Sequence, residues 1–229
     1  MSYVLVRPCA FTRLENCLPR SDITVNAASN QEINRAVIAD RSSTIRRALA
    51  GRSIVLVGIM GVGKSTIGKR LSQYLDIPFV DADKEIEKAA GMTVQDIFDQ
   101  FGEKAFRDGE QKVIKRLMGE SQCILATGGG AFINEGIRED VKEGGVSVWL
   151  DASLDILMKR VQRRSDRPLL KTEDPEATMK ALLEERNPYY AMADVKIESR
   201  TVSRDVIAAE LVDLLADALP AVAEERNWK

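Results

Sequence analysis

Ser53-Ile54-Val55-Leu56-Val57 followed by Gly58-Ile59-Met60-Gly61-Val62-Gly63-Lys64-Ser65-Thr66 limits what this chain can fold into more than any other stretch. A short β-branched apolar run enters a loop of the form G-x-x-x-x-G-K-[ST], and Ile67, Leu71 and Leu75 then resume at helical spacing. The order is strand, phosphate loop, helix. A loop that wraps a polyphosphate turns its N–H groups inward, and Gly58, Gly61 and Gly63 permit the positive φ and close approach this needs. The anion then lies at a helix N-terminus, where the dipole favours negative charge. Gly61, Val62, Gly63, Lys64, Ser65 and Thr66 are the expected nucleotide contacts, with Lys64 reaching the β- and γ-phosphates and the Ser65 hydroxyl placed to ligate Mg²⁺. A ligand-free glycine turn is the competing reading of a lone G-x-G; a full match between strand and helix outweighs it.

A chain of 229 residues suits one α/β domain carrying an appendage. Thirty-three Lys and Arg against 35 Asp and Glu leave a formal charge of −2, so there is no general attraction to nucleic acid or membrane, and any basic site must be local. Cys9, Cys17 and Cys123 are unevenly spaced, and no histidine is present. That excludes histidine metal sites and argues against a disulfide framework. It also leaves a carboxylate, a lysine, water or the phosphate itself as proton acceptor near neutral pH. No apolar segment approaches a membrane span, so the expected compartment is the cytoplasm and the expected state a monomer, with an oligomer through the leading segment left open.

Three units are expected: residues 1–50 as a partly helical extension, 51–219 as the phosphate-loop domain, and 220–229 as a charged tail. Ile33, Val37, Ile45 and Leu49 mark an amphipathic helix over 31–49, for which a solvated leader is the simpler reading and docking on the core the alternative. Ile77–Val80 is a short buried strand ending at Asp81-Ala82-Asp83. In an open parallel sheet ligands bind beyond the carboxyl ends of strands, so Asp81 can hold Mg²⁺ through water and Asp83 can accept from a substrate hydroxyl, unless Asp83 merely caps the next helix. Helical segments broken at Gly102 put Arg107 and Glu110 at i and i+3, a solvated pair or a preorganised carboxylate fork. Ile124–Thr127 is a strand ending in Gly128-Gly129-Gly130, whose N–H groups and open main chain suit a ligand. Lys159, Arg160, Arg163, Arg164 and Arg167 before Pro168 form a cationic loop, over about 160–173, of the kind that closes on a migrating phosphoryl group. Arg186 ends a later helix where a second clamp could sit.

Together these residues resemble the shikimate kinases over about residues 51–219. The specific signals are Asp81-x-Asp83, Ile97-Phe98 with Gly102-Glu103-x-x-Phe106-Arg107-x-x-Glu110, the triple glycine, and Arg167-Pro168-Leu169-Leu170. The resemblance implies a three-layer α/β/α fold with a five-stranded parallel sheet in the order 2-3-1-4-5 and an arginine-rich lid. It implies ATP-dependent phosphorylation of the 3-hydroxyl of shikimate on the way to chorismate and the aromatic amino acids, with ATP and Mg²⁺. Lys64, Asp83 and Arg167 take catalytic roles in that comparison, Ser65 and Asp81 the metal, Arg160 and Arg167 the nucleotide, and Asp83, Arg107, Gly128, Gly129 and Arg186 the substrate. The family's proline on the adenine side is missing from Ser199–Ser203. Paired arginines favour a carboxylate without defining its ring, so a kinase for quinate or gluconate shares the pattern. A nucleotide-dependent regulatory module does not, because it needs no acceptor pocket.

Overall fold

A computed structural model describes residues 27–162 and 173–228. The elements are α1 (Ala27–Leu49), β1 (Ser53–Val57), α2 (Lys64–Leu75), β2 (Phe79–Asp81), α3 (Ala82–Ala90), α4 (Val94–Glu120), β3 (Ile124–Ala126), a 3₁₀ turn (Ala131–Ile133), α5 (Glu135–Gly144), β4 (Gly145–Asp151), α6 (Leu154–Val161), α7 (Pro175–Tyr190), β5 (Val195–Glu198) and α8 (Arg204–Glu225). The five strands form one parallel sheet in the order β2-β3-β1-β4-β5, with helices packed around it, as the resemblance implied.

β1 is central and buried along its whole length, which is why it reads as an unbroken apolar run rather than an alternation. The register fixes where the site can be. Leu56 pairs with Ala126 on one side and Val148 on the other, and Ala126 pairs in turn with Asp81. The segments that follow β1, β2 and β3 therefore leave the sheet at one level and meet beyond its carboxyl edge. α2 is pressed onto the sheet at Gly68, where a Cβ would come within 2.6 Å of the Phe79 ring and 2.9 Å of Leu56.

The leading helix is docked, not solvated. Ile45 and Leu49 are fully buried in the same core as the sheet, while Val37, expected on the same stripe, is half exposed. α1 also closes the end of the phosphate-loop helix. The Ser42 hydroxyl donates to the Tyr74 carbonyl at 2.8 Å and Arg46 Nη1 to the Leu75 carbonyl at 2.8 Å, satisfying carbonyls that a helix C-terminus leaves unpaired. Arg41 pairs with Asp213 and Asp217 of α8 at 3.0 and 3.2 Å.

At the other end of the chain, α8 continues through Pro220 to Glu225 where a charged tail was expected. Arg226 pairs with Asp194 and donates to the Gly145 carbonyl at 2.7 Å, and Asp194 accepts from the Ser147 amide and hydroxyl at 2.8 and 2.7 Å. Trp228 lies under the guanidinium of Arg52 at 4.8 Å. This clasp binds the chain's end to the amino edges of β1 and β4, opposite the site.

Candidate active site

The phosphate loop joins the buried end of β1 to α2, with positive φ at Gly58, Gly61 and Gly63. Gly63 is the N-cap of α2 and no side chain caps that terminus, which keeps the helix start open to an anion. Lys64 Nζ donates to the carbonyls of Gly58 at 2.6 Å and Ile59 at 3.1 Å, folded back along the loop. A cavity of about 330 Å³ opens here, walled by Met60, Gly61, Gly63, Lys64, Ser65 and Thr66 on the loop side. Asp81, Asp83, Thr127, Gly129, Arg160 and Arg204 complete the wall. Val62 is buried behind it, and its carbonyl accepts from Arg160 Nη1 and from the Ser199 hydroxyl, each at 2.8 Å.

The two aspartates have different surroundings. Asp81 occupies the N-cap position of α3 but makes no capping bond; its Oδ2 accepts from Ser65 Oγ at 2.8 Å. A serine hydroxyl and a carboxylate oxygen on one cavity wall are the hard oxygen donors that suit Mg²⁺, which keeps waters and phosphate oxygens as its other ligands. Among the described residues no cluster of three or more histidine, cysteine, aspartate or glutamate side chains could enclose a metal. Asp83 lies inside the first turn of α3, so it is not the cap. Burial raises its carboxyl above the usual carboxylate range; Lys64 and Arg107 oppose that shift, and Asp81 and Glu87 add to it.

Behind Gly129 is a second group of charges. Gly102 breaks α4 with φ 77° and ψ 170°, and the helix resumes to bring in Arg107 and Glu110. Arg107 Nη1 donates to Glu110 Oε2 at 2.6 Å and Nη2 pairs with Glu103 at 3.4 Å, with the Phe106 ring 5.1 Å away. This is no surface pair, because Glu110 is 0% exposed and its Oε1 has no hydrogen-bond partner. Burial raises the Glu110 carboxyl, against the pull of Arg107. Arg186 of α7 is buried, and its Nε also has no partner. Tyr190, one turn later, donates its hydroxyl to the Gly129 carbonyl, and burial pushes its pKa up to about 12 against the opposing charge of Arg186.

The triple glycine is where these groups converge. A Cβ on Gly128 would come within 2.8 Å of Glu110 Oε1 and 2.9 Å of Asp83 Oδ1. One on Gly129 would lie 3.3 Å from the Met60 amide and 3.7 Å from Arg186 Nη1, and one on Gly130 would lie 2.9 Å from Arg107 Cζ. Side chains are excluded because carboxylates and guanidinium groups fill that space. Asp83, Arg107 and Arg186 are thus gathered beside the cavity that holds Lys64.

On the opposite flank, Arg160 is held by Val62, by Ser199 Oγ at 2.8 Å and by the Arg200 carbonyl at 3.0 Å. Burial, and then the neighbouring Arg204, lowers the pKa of Arg160. Arg167 and the arginine-rich loop at 163–172 lie outside the described residues. Met60, Thr127, Tyr190 and Arg204 were not anticipated. Arg204 could have been found as a cation opening a helix, where an acid is usual.

The family model described as shikimate kinase matches residues 60–216, more than half of the chain. A shikimate kinase of Bradyrhizobium diazoefficiens is 54% identical over 177 residues, covering 77% of this chain and 86% of the relative. One of Rhodopseudomonas palustris is 47% identical over 204 residues, covering 89% and 98%. Among solved structures, the shikimate kinase of Acinetobacter baumannii in complex with shikimate is similar with a TM-score of 0.69 at 36% identity, covering 72% of this chain and 93% of that one. That of Aquifex aeolicus gives 0.60 at 35% identity, covering 73% and 98%.

Proposed function

Because this chain belongs to the shikimate kinase family, we infer that it transfers the γ-phosphoryl group of ATP to the 3-hydroxyl of shikimate, giving shikimate 3-phosphate and ADP in aromatic amino-acid biosynthesis. The observation that carries the assignment to this site is the meeting of Asp83, Arg107 and Arg186 around the triple glycine, next to the loop that bears Lys64. A nucleotide-binding module without an acceptor would have no use for a buried and a half-buried guanidinium group at this place.

In this reading Arg107 and Arg186 grip the shikimate carboxylate. Glu110 fixes the Arg107 fork, so little side-chain entropy is lost on binding, and each charge-assisted bond contributes on the order of 1.5–3 kcal/mol. The Gly129 edge seats the ring beside the cavity. Asp83 accepts the hydroxyl proton as the 3-oxygen bonds to the γ-phosphorus and the bond to the β,γ-bridging oxygen breaks. Lys64, released from the Gly58 and Ile59 carbonyls, stabilises charge on the migrating group, and in the family's pattern Arg167 does the same. Ser65 and Asp81 would hold Mg²⁺, which supplies charge neutralisation at the phosphates when bound. Raised by burial, with Lys64 and Arg107 opposing the shift, the Asp83 carboxylate is a better base than an exposed aspartate.

The test is ADP release followed with ATP and Mg²⁺, with and without shikimate, and with quinate or gluconate in its place. Turnover should require shikimate. ADP release that is indifferent to shikimate, or faster with gluconate, would overturn the assignment.

A further inference from the structure

α8 opens against the usual electrostatics of a helix. Arg204 is its first residue, directly after the N-cap Ser203, so a guanidinium sits at the positive end of the helix dipole. It is half-buried. The acids nearest to it along α8 are committed elsewhere: Asp205 pairs with Arg70 at 3.1 Å and Glu210 with Arg200 at 2.6 Å. No ion pair reaches Arg204 among the described residues. Arg160 stands close enough that the two cations oppose each other's charge.

Both arginines wall the same cavity as Lys64, Ser65 and Thr66. Sheet order says which end they occupy. Asp81 and Asp83 follow β2 at one edge of the sheet, whereas Arg160 follows β4 and Arg204 follows β5 at the other. Ser199 and Arg160 tie that flank to the Val62 carbonyl of the phosphate loop. The acceptor groups thus lie at one end of the cavity, and a pair of cations lies at the other. Two like charges and a helix dipole of the same sign, with no ion-pair partner among the described residues, call for an anionic ligand.

We propose that Arg204 is a nucleotide-binding residue of this enzyme: together with Arg160 it holds the phosphate nearest the nucleoside, at the β4–β5 end of the cavity, by charge. The proposal rests on the ATP-dependent reading above. Arg204 follows β5 and Asp83 follows β2, at opposite edges of the sheet, so its effect is read in nucleotide affinity.

The test uses the full chain, with ADP affinity measured by calorimetry at several salt concentrations. R204Q should weaken ADP binding about tenfold at low salt and flatten the dependence of log Kd on log salt, while R204K restores most of the loss. R204Q that binds ADP as wild type does across the salt series would overturn the role of Arg204. So would a loss of affinity that keeps the wild-type salt slope and comes with a lowered melting temperature, since that describes packing and not charge. Wild type that fails to bind ADP would instead overturn the kinase reading itself.

Discussion

Gly130→Ala tests the proposed substrate fork at Arg107 apart from the rest of the site. Gly130 has φ −98° and ψ −8°, the conformation of the third residue of a type I turn and one that L-residues occupy, so the main chain does not exclude the methyl group. The atoms nearest to it are those of the Arg107 guanidinium: the new Cβ would sit 2.9 Å from Cζ and 3.1 Å from Nη1, and nearer still to Nη2. Carbon atoms in ordinary contact are about 3.5–4.0 Å apart, so the guanidinium must retreat by roughly 0.6–1 Å. Its bond to Glu110, at 2.6 Å, can lengthen by part of that without breaking, which favours a displaced fork over an unfolded protein. A carboxylate ligand then loses most of one charge-assisted contact, about 1.5–3 kcal/mol, and the shikimate KM rises roughly ten- to a hundredfold. The ATP KM should not move, because Arg107 is not among the walls of the phosphate cavity. Steady-state kinetics with each substrate varied in turn, alongside a thermal melt, reads all of this. In an Arg107→Ala background the same substitution should have no further effect on the shikimate KM. An unchanged shikimate KM in folded Gly130→Ala, or an equal rise in both KM values, would refute the placement of Arg107 on the substrate.

Other expectations follow from the same geometry. Asp83→Asn should lower kcat by roughly 10²–10⁴-fold with ADP still bound, as single-turnover rates and calorimetry would show; near-normal turnover would remove Asp83 as proton acceptor. Leu49→Ala, in a fully buried position of α1, should cost about 2–5 kcal/mol and lower the melting temperature by several degrees, about 2–4 °C for each kcal/mol. A change within 1 °C would mean that α1 is not part of the folded core. Tyr190 has its pKa pushed up to about 12 from 10.0, so the folded protein holds that proton more tightly than the unfolded chain does. Its contribution is intact below pH 10 and is lost as the pH rises through 12, a fall on the order of 2–3 kcal/mol. Tyr190→Phe should show less loss of stability across that window in denaturant titrations; equal slopes for the two proteins would contradict a buried, proton-retaining phenol.

Much of the site was legible because its chemistry is written in short, local patterns. Gly58–Thr66 specifies strand, loop and helix within fourteen residues that begin at Ser53, and the Asp81-x-Asp83 and triple-glycine ends declare which edge of the sheet they occupy. Arg107 and Glu110 were legible as a pair, but a spacing of i and i+3 cannot say whether the pair is buried, and here Glu110 is completely so. Residues whose meaning depends on distant partners were not readable. An apolar stripe in α1 says that a face is covered without saying by what, and the cover comes from α8, at the other end of the chain. α5 escaped notice because only Ile137 and Val141 anchor it among charges and glycines. Pro220 reads as a stop, yet α8 runs on through it. Arg204 looks ordinary until β5 and α8 bring it to the phosphate loop.

The interlock of the first described helix with the last has a consequence for how this protein is made. Ile45 and Leu49 are synthesised early, but the helix that covers them beside α2 is α8, which is made after all five strands. Until α8 emerges, a growing chain carries an uncovered apolar helix and a phosphate-loop helix lacking part of its packing. The nascent polypeptide is therefore exposed to aggregation until α8 has been made, and until then the cavity lacks its Arg204 wall.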